Sequence, residues 1–154
     1  MSTTTTAPAQ ASVFRHSIVA LFVAGFVSVL VFQQAAGAIF HAFGLAPPPF
    51  RYDPTKPLSV PQIWSGAFWG GVWGIVFGLL EKRFPQDAMY YFACFLFGIL
   101  PTVVLWFIVF PIKGLPMAAG WDATRMLVQF LVHGCFGLGL GLLLRWWPEA
   151  ARAA

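Results

Sequence analysis

The sequence predicts an all-α fold, an integral membrane antiparallel four-helix bundle forming a single domain. Three observations lead there. Of 154 residues, 59% are hydrophobic and only 9% charged, against about 25% charged in soluble domains, which argues against a free cytosolic globule. The few charges are segregated: no Asp, Glu, Lys or Arg occurs in 16–50, 57–80, 88–112 or 126–144, windows of 35, 24, 25 and 19 residues. Each is close to or above the ~20 residues a helix needs to cross a bilayer. The stretches between the windows carry prolines, glycines and charges, the composition of turns.

The elements follow in order. Residues 1–14 are a Ser/Thr/Ala-rich tail without periodicity, expected to be mobile. Arg15 and His16 precede span one, 17–40. A basic flank, an apolar core and the small triplet Ala36-Gly37-Ala38 also resemble a signal peptide. The apolar run continues past that triplet through Ile39 to Phe43, which favours a retained span. In the outer loop, 42–61, six prolines forbid a regular helix and favour extended backbone. Phe50 and Tyr52 flank Arg51 there, a mixture suited to lying along headgroups. Span two, 62–80, runs into the polar turn Glu81-Lys82-Arg83-Phe84-Pro85-Gln86-Asp87. Span three, 88–111, contains Gly98 and Pro101 and stops at Pro111. A Gly/Pro loop leads to Trp121 and Asp122, and Asp122 suits the N-cap of span four, 123–145. That span ends at Arg145-Trp146-Trp147-Pro148.

Four spans put both termini on one side. That side holds Arg15, Lys82, Arg83, Arg145 and Arg152, and the other holds Arg51, Lys56, Lys113 and Arg125. Lys82 and Arg83 occupy a very short turn, where positive charge orients a chain most strongly, so both termini are expected in the cytoplasm. Trp64 and Trp121 would mark one interface, Trp146 and Trp147 the other. The nine basic residues form no run, so a nucleic-acid footprint is not expected. The partner they fit is the lipid bilayer, through its anionic headgroups.

Span two carries the strongest pattern: Gly66, Gly70, Gly74 and Gly78 recur every fourth residue, three overlapping GxxxG units. Glycines so spaced line one helix face, where another backbone can approach closely; in lipid such packing replaces the absent hydrophobic drive. The partner is a helix of the same chain, a second copy or another membrane subunit. Span four repeats the spacing through Gln129, His133, Gly137 and Gly141, and span three through Cys94, Gly98 and Thr102. Thr102 can bond back to the Gly98 carbonyl, and Pro101 lacks an N–H, so a bend is expected there.

Counting depth at ~1.5 Å per residue sets Gln33 and Gln34 level with Gln129, and His133 about one turn nearer the cytoplasm, beside Thr102. Gln33, Gln34, Thr102, Gln129 and His133 thus form a candidate intramembrane polar site. Polar groups in hydrocarbon need partners and should face inward. Their reading is either interhelical glue or a proton- or ligand-responsive site, since histidine titrates near neutral pH. His41, past the end of span one, reads as interfacial.

Chemistry of the chain's own is not expected. No Asp or Glu falls inside a span, and no nucleophile–His–acid set, HExxH motif or phosphate loop occurs. Haem ligation would need two histidines at one depth, whereas His16, His41 and His133 differ by ~12 Å or more at helical rise. Cys94 and Cys135 make neither a CxxC nor a zinc spacing. No cofactor and no metal site is expected.

The stretch Phe110-Pro111-Ile112-Lys113-Gly114-Leu115-Pro116, onward to Trp121 and Gln129-Phe130-Leu131-Val132-His133-Gly134, resembles the YagU-type small bacterial inner-membrane proteins. There an FPxxGL-like turn also precedes a helix with a His near small residues. The likeness covers roughly the C-terminal third, and the short proline-rich first loop departs from the family pattern. The resemblance implies a bacterial inner-membrane location and a role linked to acid tolerance. It carries over no catalytic residue. The expected function is a packing or accessory, stress-related membrane component. The alternative is a small oligomeric channel or transporter whose pathway passes Gln34, Thr102, Gln129 and His133.

Overall fold

The computed structural model describes residues 15–55 and 58–147. The 1–14 tail, Lys56 and Pro57, Pro148 and Arg152 lie outside the described residues. Four helices, α1 (Ile18–Ala42), α2 (Gln62–Arg83), α3 (Met89–Ile112) and α4 (Ala123–Arg145), are long and apolar enough to cross a membrane. Among the described residues the strands are β1 (Pro54–Thr55) and β2 (Val60–Pro61), which pair antiparallel with Pro54 opposite Pro61 and Thr55 opposite Val60.

Each helix start finds acceptors for its free N–H groups, as helix ends require. Ser17 Oγ accepts from Ala20 N at 3.2 Å, and Asp122 Oδ1 accepts from Arg125 N at 2.9 Å. At α3, Asp87 Oδ1 accepts from Met89 N at 2.9 Å. The start of α2 has no side-chain cap. Its Gln62 and Ile63 N–H groups instead donate to Asp53 O and Arg51 O, both at 3.0 Å. The proline loop is therefore folded back onto the helix that follows it.

Two π-helical turns interrupt the regular helices, Val29–Gln33 in α1 and Leu105–Val109 in α3. The expected bond from Thr102 to the Gly98 carbonyl does not form: the Thr102 hydroxyl is buried and has no hydrogen-bond partner among the described residues. A proline takes one N–H from the helix, and α3 departs from regular geometry just after it, in the wider turn that begins at Leu105. Before α4 the chain turns through four residues of positive φ, Ala118, Ala119, Gly120 and Trp121. Left-handed backbone costs a non-glycine residue about 1–2 kcal/mol. The turn buries Ala118 and sets the Trp121 ring against Phe107, 6.4 Å between centroids.

Helix α1 packs on α2, α3 packs on α4, and α1 also meets α4. Both tight pairs rest on glycine. A Cβ on Gly25 would lie 2.1 Å from Gly70 O, and one on Gly74 would lie 2.2 Å from Leu21 O. Likewise a Cβ on Gly98 would lie 2.1 Å from His133 O, and one on Gly137 would lie 2.0 Å from Cys94 O. In these pairs only glycine lets backbone rest on backbone. Gly78 receives the Leu21 side chain and Gly141 receives Cys94 Sγ, whereas Gly66 meets nothing nearer than Val29 Cγ1 at 3.9 Å. Ser28 Oγ donates to Phe136 O at 2.7 Å in the interior and ties α1 to α4. Around it Leu21, Phe77, Phe136, Leu140 and Leu144 are fully enclosed. Trp73 and Phe77 of α2 meet the Phe97 ring of α3 edge-on, at 6.1 and 5.1 Å.

Gly137→Leu should therefore lower stability by about 3 kcal/mol or more, the upper range of overpacking costs. Gly37→Ala should be neutral or stabilising by up to about 1 kcal/mol, because no atom lies within 4 Å of a Cβ there. Thermal melting in detergent, followed by circular dichroism, checks the contrast.

Candidate functional site

The two ends of the helix assembly carry different chemistry. At the end where the proline loop folds back, a partly open cavity of about 600 Å³ lies between α1, the loop, α2 and α4. Its polar lining is Gln33, Gln34, Arg51, Gln62, Arg125 and Gln129, and Pro47–Pro49, Ile63, Val128 and Val132 complete the walls. The loop is held over it by Phe50, in left-handed conformation, whose N–H donates to Gln34 Oε1 at 2.8 Å. Trp106, in the π turn of α3, donates its indole N–H to Gln129 Oε1. The π turn of α1 ends at Gln33, on the cavity wall. Such turns often accompany functional positions.

Of the five residues expected to form a polar layer, the structure gathers Gln33, Gln34 and Gln129 around this cavity. Thr102 and His133 do not line it. His133 Nδ1 lies 2.9 Å from Gln129 O, the carbonyl one turn earlier on its own helix. At that level α3 and α4 touch backbone to backbone through Gly98 and His133 O, and on α4 the cavity lining ends at Val132. His41 Nδ1 sits 2.9 Å from Ala46 O, at an exposed position.

At the opposite end a carboxylate is buried. Glu81 was expected in a solvated turn; it belongs instead to the last turn of α2 and is 2% exposed. Tyr90 donates its hydroxyl to Glu81 Oε1 at 3.1 Å, and His16 Nε2 lies 3.5 Å from Glu81 Oε2. The Arg145 guanidinium stands over the Tyr90 and Tyr91 rings at 5.2 and 5.4 Å, cation–π distance. The approach to α1, the end of α2, the start of α3 and the end of α4 are thus joined by four side chains. This corrects the expectation that no Asp or Glu falls inside an apolar helix. The helix runs one turn past the charge boundary, and neighbouring aromatic rings cover its end.

Two features escaped the sequence reading and had signals. An indole N–H on an apolar helix needs an acceptor, and Gln129 is the amide at matching depth. Glu81 directly follows an unbroken apolar helix without an intervening breaker, so it had reason to continue the helix. Among the described residues no group of three or more His, Cys, Asp or Glu could hold a metal ion. Both cysteines are free. Comparison with protein-family models, curated proteins and solved structures finds no match.

Glu81→Ala leaves His16 and Tyr90 buried without their partner and should cost about 3–5 kcal/mol, the loss seen when one member of a buried pair is removed. Glu81→Gln keeps an acceptor for Tyr90 and should cost less than half as much. Equilibrium unfolding of the two variants in mixed micelles compares them.

Proposed function

We propose that the chain is a multi-pass protein of the bacterial inner membrane, an antiparallel four-helix bundle with both termini in the cytoplasm. Its role is that of a packing or accessory component without chemistry of its own. The span count and the short Lys82–Arg83 turn support the topology. Opposed contact order supports the antiparallel arrangement: Leu21 meets Gly74 and Gly78 while Gly25 meets Gly70, and Cys94 meets Gly137 and Gly141 while Gly98 meets His133. The exposed Val19, Ile39, Trp69 and Leu127 suit a lipid-facing surface.

One observation carries the functional reading. Glycine contacts within the chain close the interior, and the cavity stops at Gln129 and Val132. A conduit past His133 would need that backbone contact to part. The glycines of α2 are engaged by α1, so a partner subunit would dock on the apolar outer faces rather than on the glycine stripe. The link to stress and acid tolerance rests on the family resemblance of the C-terminal third.

Proteoliposomes containing the purified protein should pass neither protons nor small ions faster than empty vesicles across a pH step. Flux above that background, removed by His133→Ala in a folded variant, would replace this reading with the channel or transporter.

A further inference from the structure

We propose that the cavity under the proline loop binds a phosphate-bearing anion, and that an anionic phospholipid headgroup is the source its position favours. Only the choice of source rests on the membrane-spanning reading. The lining holds two guanidinium side chains and four amides, and no Asp or Glu. Two of the amides are pinned by their oxygens: Gln34 Oε1 accepts from Phe50 N, and Gln129 Oε1 accepts from Trp106 Nε1. An amide whose oxygen is engaged offers what remains, an NH₂ group with two donors. Neither Nε2 has a partner among the described residues.

The cations differ in the same sense. Arg51 Nε is 2.8 Å from Asp53 Oδ2, which offsets part of its charge. Arg125 has no ion pair among the described residues; Asp122 meets it through the backbone, Oδ1 capping the Arg125 N–H. Acceptors are present as backbone only on the loop wall, Gly44 to Pro49, where Ala46 O already faces His41 Nδ1, and as the side-chain oxygens of Gln33 and Gln62. Among its side chains the cavity is therefore richer in donors than in acceptors, and it is positive.

Two guanidinium groups disfavour a cation, and the amide donors beside them match an acceptor-only anion. Guanidinium and amide donors on α1, α4 and the loop surround the space from several sides, which suits the spread oxygens of a phosphate. A cavity of this size falls in the range of small-ligand sites, ~300–1,000 Å³. Ile63, Val128 and Val132 give one wall an apolar surface on which the first part of an acyl chain can rest. Arg125 stands in the first turn of α4, at the depth of headgroups if that helix spans.

The test uses the full chain, delipidated in a neutral detergent and titrated calorimetrically with short-chain phosphatidylglycerol, phosphatidylcholine of equal chain length, and inorganic phosphate. Saturable phosphatidylglycerol binding, about tenfold tighter than phosphatidylcholine, is expected, and Arg125→Gln should weaken it about tenfold, the worth of one charged hydrogen bond. Arg83→Gln, outside the cavity, should bind like the wild type. Inorganic phosphate binding as tightly as phosphatidylglycerol would keep the anion site and overturn the lipid source. Equal binding of both lipids without phosphate binding, or unchanged affinity in a folded Arg125→Gln variant, would overturn the site. Should Arg125→Gln not fold, Arg51→Gln in the exposed loop carries the same test, and unchanged affinity there overturns it. Flotation with neutral phosphatidylcholine vesicles reports membrane insertion separately, so failure of the site and failure of the membrane reading give different results.

Discussion

A backbone carbonyl resting on the α-carbon of a glycine in the next helix is the contact on which the rest of this structure depends. It occurs in both tight pairs: Gly70 O and Leu21 O bear on Gly25 and Gly74, and His133 O and Cys94 O bear on Gly98 and Gly137. Between apolar helices in lipid, side-chain burial supplies little drive, so dispersion between closely approached backbones must supply it. These contacts have a limited extent along the helices. Toward the proline loop they fade, with Gly66 only in ordinary contact and Gly37 facing open space. The cavity lies where the close approach has ended.

The two ends of the assembly handle polarity in opposite ways. At one end His16, Glu81, Tyr90 and Arg145 meet one another and bring four chain segments together. At the other, Trp106 and the Phe50 N–H take the oxygens of two glutamines and leave their amide donors facing a space edged by guanidinium groups. The first arrangement stabilises the fold; the second leaves capacity for a ligand. His133 belongs to neither, since its ring bonds the carbonyl one turn back on its own helix.

Much of the helical layout was legible. Charge-free windows, proline loops, the Asp122 cap and the every-fourth glycines come from periodicity and composition, which act locally. What depends on how helices meet was not legible. The repeat on α2 gives Gly66 and Gly70 equal weight, yet of the two only Gly70 bears a carbonyl contact, and its partner Gly25 belongs to no every-fourth repeat on α1. Depth counting assumes a constant helical rise. Gln33, Gln34 and Gln129, counted as level, converge, whereas the turn beneath, with Thr102 and His133, lies where α3 and α4 close on each other through Gly98 and the His133 carbonyl. Placing Glu81 in a polar turn concealed its burial, which depends on Tyr90 from the next helix and on His16, distant in sequence.

The central claim is that the glycine faces are used within one chain. Its most direct test is a crosslink between α1 and α2, where the Phe22 and Phe68 rings meet edge-on at 5.8 Å. Phe22→Cys and Phe68→Cys are combined in a Cys135→Ala background, leaving the enclosed Cys94 in place, and treated with a short bismaleimide in membranes. The account predicts a crosslinked species of monomer mobility whose yield is unchanged by dilution with wild-type chain. A dimer-sized product that disappears on such dilution would show that the faces are shared between chains and would contradict it.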